Sequence, residues 1–328
     1  MKKLLNLNLR MFDGNLNTHT TATETLSVEM KTYYSDYLID NAQPNLVHDQ
    51  FGQKHPIPQN GGKQIEFRKF MPFSKATTPL KEGVTPDGGS LSVTKVEATV
   101  EQYGYYVTMS DVLMLTAIDN TLLETTKLLG SQAGATLDTI TREVLNGGTS
   151  VMYSGGKEAR EEIDETCKLT VDDVYRAARF LKAQNAPKID GSYVAIVHPD
   201  VAYDLMRDDE WIDVHKYSAT SEIFEGEIGK IAGVRFVETT EAKIFADGGA
   251  DNRDIYSTLV LGANAYGVTE ITGGGLKHIV KQLGSGGTAD PLDQRATAGW
   301  KGTKTAERLV ENYMIRIESA SSFESGAN

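Results

Sequence analysis

Between Asp111 and Asn146 the sequence reads DVLMLTAIDNTLLETTKLLGSQAGATLDTITREVLN. Leu115, Ile118, Leu122, Thr126, Leu129, Ala133, Leu137, Ile140 and Val144 recur at steps of three and four. Their mean spacing matches the roughly 3.6 residues per turn of a straight α-helix, not the 3.5 of a supercoiled seam. Unbroken, such a helix runs to roughly 50 Å at about 1.5 Å per residue. That is longer than the usual helix of a globular domain, so the pattern predicts a spine along which the other parts are arranged. Ser110 is placed to cap its start, and Asp111 suits the positive end of the dipole. Asp119-Asn120 predicts a break that would split off the first two turns. Gly147-Gly148 closes the element. Gly130 and Gly134 each cost about 1 kcal/mol relative to Ala and share a face with Ala133, which predicts a bulky neighbour packed close.

Before the spine the chain divides into three. Residues 1–27 read as an arm. In MKKLLNLNLRMF, Leu5, Leu7, Leu9 and Met11 alternate with polar residues, so the segment is a strand pattern, not a signal peptide. A Thr-rich stretch follows that cannot build a core; the arm is either a tail or a strand added to a neighbour's sheet. Residues 27–43 carry an apolar stripe of Met30, Tyr33, Tyr34, Tyr37 and Leu38 at helical spacing, stopped by Pro44. Residues 61–108 hold two strands, KQIEFRKF and TKVEATVEQYGYYVTM, each with one apolar and one charged face. The connection TPLKEGVTPDGGSLS has turn composition. A two-stranded ribbon is marginal alone in water, so its apolar side requires cover, most simply from another subunit.

After the spine, 149–168 reads as an acidic, mobile segment. From 169 to about 280, helices LTVDDVYRAARFLKAQNAP and PDVAYDLMRD alternate with strands SYVAIVH, IGKIAGVRFVET and IYSTLVLG, which predicts a compact α/β subdomain. Thr170 and Pro199 mark the two helix starts. The terminal YMIRIES is strand-like and is expected to return to the spine, making the α/β part an insertion.

The residue inventory points away from chemistry. A net charge of −12 argues against broad nucleic-acid binding. One cysteine, Cys167, excludes an internal disulfide, fits a reducing compartment and has no base nearby in sequence. No apolar run approaches the about 18 residues of a membrane span. His48 and His55 are seven apart in a Pro-rich stretch, where a helical metal pair needs four. Asp247, Asp251 and Asp254 lack the closing glutamate of a calcium loop. GGGLKH at 273–278 lacks the Gly-Lys-Ser/Thr of a phosphate loop, and GSGG at 284–287 reads as a linker. We therefore assign no catalytic, cofactor-binding or metal residues and expect no enzyme.

The stretches YGYYVTMSDVLML, LDTITREVLNGG, EIGKIAGVRFVETTEA and DPLDQRATAGWKGTKTAERL, in that order from about 100 to 310, resemble the HK97-like major capsid proteins of tailed bacteriophages, and specifically the N4-gp56 family. The resemblance implies an α+β fold with an N-arm and its helix (1–60), an extended β-hairpin E-loop (61–108), a P-domain with the spine helix (109–168), an A-domain (169–284) and a C-terminal return to the P-domain (285–328). It implies pentamers and hexamers in an icosahedral virion shell that encloses double-stranded DNA without specific binding. Portal, scaffolding and decoration proteins would be partners, and assembly would take place in the host cytoplasm. Lys75 and Lys81 lie in the loop from which the prototype of the fold forms a lysine–asparagine cross-link, but no acceptor is identified here. An encapsulin-like compartment shell is the alternative of the same fold, and a soluble α/β enzyme is the alternative of another class.

Overall fold

The computed structural model describes residues 38, 42, 46–56, 63–70, 73–79, 82–83, 85, 88–116, 121–212, 227–270, 275–287 and 290–328. Strand β1 (Gln53–His55) precedes the ribbon strands β2 (Gln64–Phe70) and β3 (Val93–Thr99). β4 (Glu101–Ser110) runs directly into helix α1 (Asp111–Thr116), and α2 (Thr121–Asn146) follows. Next come β5 (Val151–Tyr153), α3 (Val171–Ala183), β6 (Tyr193–Val197), α4 (Pro199–Met206), β7 (Glu227–Ile231), β8 (Val234–Glu238), β9 (Ile244–Phe245) and β10 (Ile255–Leu261). The chain finishes with β11 (Tyr266–Thr269), β12 (Leu276–Lys281), β13 (Arg295–Lys304), β14 (Ala306–Arg308) and β15 (Met314–Ser319).

The spine forms where the periodicity places it, but not over its whole length. In α2, Thr126, Leu129, Ala133 and Leu137 are buried, as are Gly130 and Gly134. Leu129, Ala133 and Leu137 share one core with Leu38, Ala42, Met109, Leu276, Ala298 and Trp300. Leu38 and Ala42, the two described residues of the predicted 27–43 helix, are both helical. In α1 the same stripe fails: Leu115 is 86% exposed, although its spacing predicts burial. Ile118 and the break at Asp119-Asn120 lie outside the described residues. Ser110 caps α1 through a 3.2 Å bond from Leu113 N–H, and Gly147 N–H closes α2 on Glu143 O at 3.0 Å. The sheet against which α2 packs is β12–β13–β4, all antiparallel, with Arg295 opposite Ser110 and Lys304 opposite Glu101.

The α/β part is built on the mixed sheet β5–β15–β10–β6–β8–β7, with β9 on β10. Leu169, Val174, Leu181, Val201 and Leu205 from around α3 and α4 fill one core with Ala195, Phe236, Val260 and Ile317 of the strands. Each such large side chain contributes about 1.5–3 kcal/mol on burial. Thr170 and Asp173 form a capping box at α3, and His198 Nδ1 caps α4, whose first residue is Pro199. Two expectations are corrected. The terminal strand β15 pairs with β10 and β5 in this large sheet; it is β13 that returns to the spine. Both faces of β15 are covered, and its charged Glu318 is answered by Arg160 at 2.7 and 2.8 Å and by Arg316 at 2.8 Å. The acidic segment 149–168 is not loose: Ile163 and Cys167 bury against Ile255 and Ala320, and Ser154 donates to Asp173 at 2.7 Å. A third sheet, β1–β11–β14, lies beside the end of α2, with Leu145 packed on Tyr266, Val268 and Ala306.

Candidate functional site

The ribbon is covered at one end and bare at the other. Ile65 lies opposite Ala98 and Phe67 opposite Val96. Ile65, Phe67 and Ala98 are buried, with Leu309 beside them. The cover here is the chain's own third sheet, not another subunit, which corrects the expectation for this end. A Cβ on Gly267 of β11 would come within 2.4 Å of the Phe67 ring, so only glycine admits that ring. His55 packs edge-on to Phe67 at 4.8 Å. At the far end the cover stops: Phe73 is 66% and Leu91 60% exposed, and Val93 at the start of β3 is also exposed. The outer face carries Glu66 and Glu97 opposite each other, bridged by Lys95 at 3.3 and 2.6 Å. Hydrogen bonds to Glu97 and Glu66 raise the Lys95 pKa above its ordinary value.

A second feature ties the segment before the ribbon to the spine. His48 N–H and Nδ1–H donate to the two oxygens of Asp138 at 2.8 and 2.6 Å, with both side chains buried. Asp49 accepts from Thr141 Oγ1 at 2.6 Å and pairs with buried Lys304 of β13. Tyr266 O–H donates to His48 O. Full burial, reinforced by the charges of Asp49 and Asp138, pushes the Tyr266 pKa well above its ordinary value. Further along α2, Arg142 donates to Glu241 O at 2.9 Å, and Asn146 Oδ1 accepts from Ser257 at 2.5 Å. The residues concerned, Asp138, Arg142 and Asn146, fall four apart on one line of the helix. That polar stripe beside the apolar one is the signal from which these ties could have been read.

The residues weighed for chemistry are dispersed among these structural roles. His48 is a buried tether and His55 an aromatic packing partner of Phe67. Cys167 is buried. Asp247 and Asp251 stand at positive φ in a turn, where Asp254 accepts from Asp247 N–H at 3.2 Å. Gly273 and Gly274 lie outside the described residues, as does Lys81; Lys75 is exposed. No group of three or more His, Cys, Asp or Glu side chains among the described residues could hold a metal ion. No described helix is long and apolar enough to cross a membrane.

The α+β subunit built on its long helix leaves apolar side chains exposed at the far end of the ribbon and on α1. Comparison with protein families identifies the class of protein to which it belongs. A family model described as phage capsid protein matches residues 93–306, and the chain belongs to that family. It is a structural, non-enzymatic capsid protein of the virion. No curated protein matches the sequence. Among solved structures, the capsid of Ralstonia phage GP4 is similar at a TM-score of 0.70 and 15% identity, over 85% of this chain and 89% of that one. The capsid of cyanophage P-SCSP1u is similar at 0.64 and 15%, over 84% and 89%. The capsid of cyanophage Pam1 is similar at 0.61 and 13%, over 80% and 86%. The fold is that of the HK97-like phage capsid proteins.

Proposed function

We propose that this chain is the major capsid protein of a tailed bacteriophage, of the N4-gp56 kind, and that it self-assembles into pentamers and hexamers of a closed icosahedral head around double-stranded DNA. Residues 1–60 act as the N-arm, 61–108 as the E-loop, 109–168 as the P-domain and 169–284 as the A-domain, with 285–328 returning to the P-domain. Strands cross these borders: β4 and β12 belong with the spine sheet, and β5 and β15 with the large sheet. Portal, scaffolding and decoration proteins complete the head, and assembly takes place in the host cytoplasm.

The observation that carries this reading is the asymmetry of the ribbon. Its base is folded against its own chain, while Phe73, Leu91 and Val93 at the far end expose apolar surface that no described part of the same chain covers. The segment from Lys75 to Ser92 therefore contributes to assembly and little to the subunit fold. Replacing Lys75 to Ser92 by a short Gly-Ser link should leave a soluble chain of native helix content by circular dichroism. The same preparation should form no closed particles by electron microscopy. Normal shells from that variant would refute the E-loop assignment, and loss of both fold and shell would place the segment in the subunit core.

A further inference from the structure

The sheet β12–β13–β4 has a second face, turned away from α2, and its residues fall into rows across the three strands. Lys277, Lys301 and Gly104 form one row; Ile279, Gly299 and Tyr106 the next; Lys281, Thr297 and Thr108 a third. The two glycines leave a groove of about 580 Å³, with Tyr106 70% exposed at its side and Ile279 exposed across from it. The three lysines are exposed, and none has an ion-pair partner among the described residues. Arg295, at the end of the same face, is answered by Asp290. Lys277 directly opposite Lys301 is an unfavourable cross-strand pair unless an anion lies over it.

The complementary surface is present on the same chain. Glu158, Glu161 and Glu162 are exposed on one loop, and Asp247 and Asp251 on another. The two loops adjoin, because Ala250 N–H donates to Ile163 O at 2.9 Å. The cations beside these acids are already committed: Arg160 to Glu318, Lys157 to Asp164 and Arg253 to Glu165. None of the five acids has an ion pair among the described residues.

We propose that the Lys277–Lys281–Lys301 face receives the Glu158–Glu161–Glu162 loop of a second copy of this chain, with Tyr106 and Ile279 forming the apolar floor of the contact. This rests on the shell-forming reading and assigns one of its contacts. A copy is favoured over nucleic acid as the occupant because the chain itself presents three exposed carboxylates without ion pairs among the described residues, matching the three lysines in number and sign. The contact joins two different patches, so it is heterologous and repeats head to tail, which is the geometry that closes into rings.

The test uses the full chain and three charge-reversed variants of it. Lys277→Glu/Lys281→Glu/Lys301→Glu should raise the concentration needed for particle formation about tenfold or more, as the loss of several exposed ion pairs requires. Circular dichroism should be unchanged. Glu158→Lys/Glu161→Lys/Glu162→Lys should show the same defect. The chain carrying all six changes should recover assembly at the parent threshold, measured by light scattering and electron microscopy. Normal assembly of the lysine-reversed chain would overturn the contact, as would failure of the six-fold variant to recover. If the lysine-reversed chain assembled normally but enclosed less nucleic acid, the face would be a DNA contact and the proposal would be wrong. A parent chain that never formed particles would overturn this contact and the shell reading together.

Discussion

Replacing Lys304 by Met separates the ionic from the packing contribution at the tether between the pre-ribbon segment and the spine. Met keeps much of the stem's volume and deletes the ammonium group. Among the described residues, the Asp49 carboxylate, 9% exposed, is then left with the Thr141 hydroxyl alone. Removing one partner of a buried pair costs about 3–5 kcal/mol, because the survivor's desolvation is no longer offset. For 328 residues, at about 2.1 cal/mol/K of unfolding entropy each, a 4 kcal/mol loss lowers Tm by about 6 °C. The double variant Asp49→Leu/Lys304→Met removes both charges and leaves only the Thr141 hydroxyl unanswered. It should lie within about 1–2 kcal/mol of the parent. The assay is urea unfolding of dissociated subunits, followed by the fluorescence of Trp300, which lies on the same strand. A single variant within about 1 kcal/mol of the parent would refute the reasoning. So would a double variant whose loss equals the sum of the two singles, since the charges would then not be coupled.

Two further outcomes follow from the geometry. Gly299→Val should unfold or misregister the spine sheet, because a Cβ there would meet Tyr106 Cβ at 2.7 Å and Tyr105 O at 2.8 Å; a Tm unchanged from the parent would show that the two strands can part without cost. The melting temperature should fall with acid in two stages. Burial lowers the pKa of His198 and of His278, so the unfolded chain takes up their protons first, and stability present above about pH 6.5 is lost as pH falls below it. The carboxylates of Glu143 and Asp204 are raised by burial, but more strongly lowered by hydrogen bonds from Lys243 and Arg142 and from Ser322 and Ser321. Their contribution is present above their ordinary values, near pH 4, and lost below them. His198→Asn/His278→Asn should flatten the upper stage and leave the lower one. A single-stage profile in the parent chain would refute this account.

The local elements were the most legible part of the sequence. The α2 stripe, the Thr170 capping box, Pro199 at the start of α4 and the closing Gly147 depend on neighbours in the chain, and each appears where spacing places it. Leu115 shows where that reasoning stops. Its spacing is right, yet no described sheet or helix of its own chain covers that side of α1, and periodicity says only that a face is apolar, not what meets it. YMIRIES failed for a related reason. An alternating strand specifies two faces but not its partner, and β15 found its place through long-range pairing with β10 and through the Glu318–Arg160 bond across 158 residues. The ribbon was half legible. Its one-sided pattern called for cover, but Leu309 and Gly267, which supply it at the base, carry no local signal. The spacing of His48 argued only against a metal pair; its structural role could not be read because its partner Asp138 is 90 residues away.

These failures share a direction that bears on how the chain divides folding from assembly. Where sequence reasoning underestimated order, as at His48, Glu318 and the 149–168 segment, the missing stabilisation comes from buried polar ties, which require exact geometry and so specify one arrangement. Where it overestimated burial, as at Leu115, and where it left the cover to another subunit, as at the far end of the ribbon, apolar surface remains at the periphery. Polar ties fix the parts of the subunit relative to one another: Asp49–Lys304 joins the pre-ribbon segment to β13, and Arg142 joins α2 to the loop before β9. The exposed Phe73, Leu91, Val112, Leu113 and Leu115 lie outside those ties. Apolar contact is non-directional and forgiving of small displacements. A shell needs subunits that are internally fixed but can meet neighbours at slightly different angles in five- and six-fold settings. A core held by directional bonds and an edge of exposed apolar groups meets both demands within one chain.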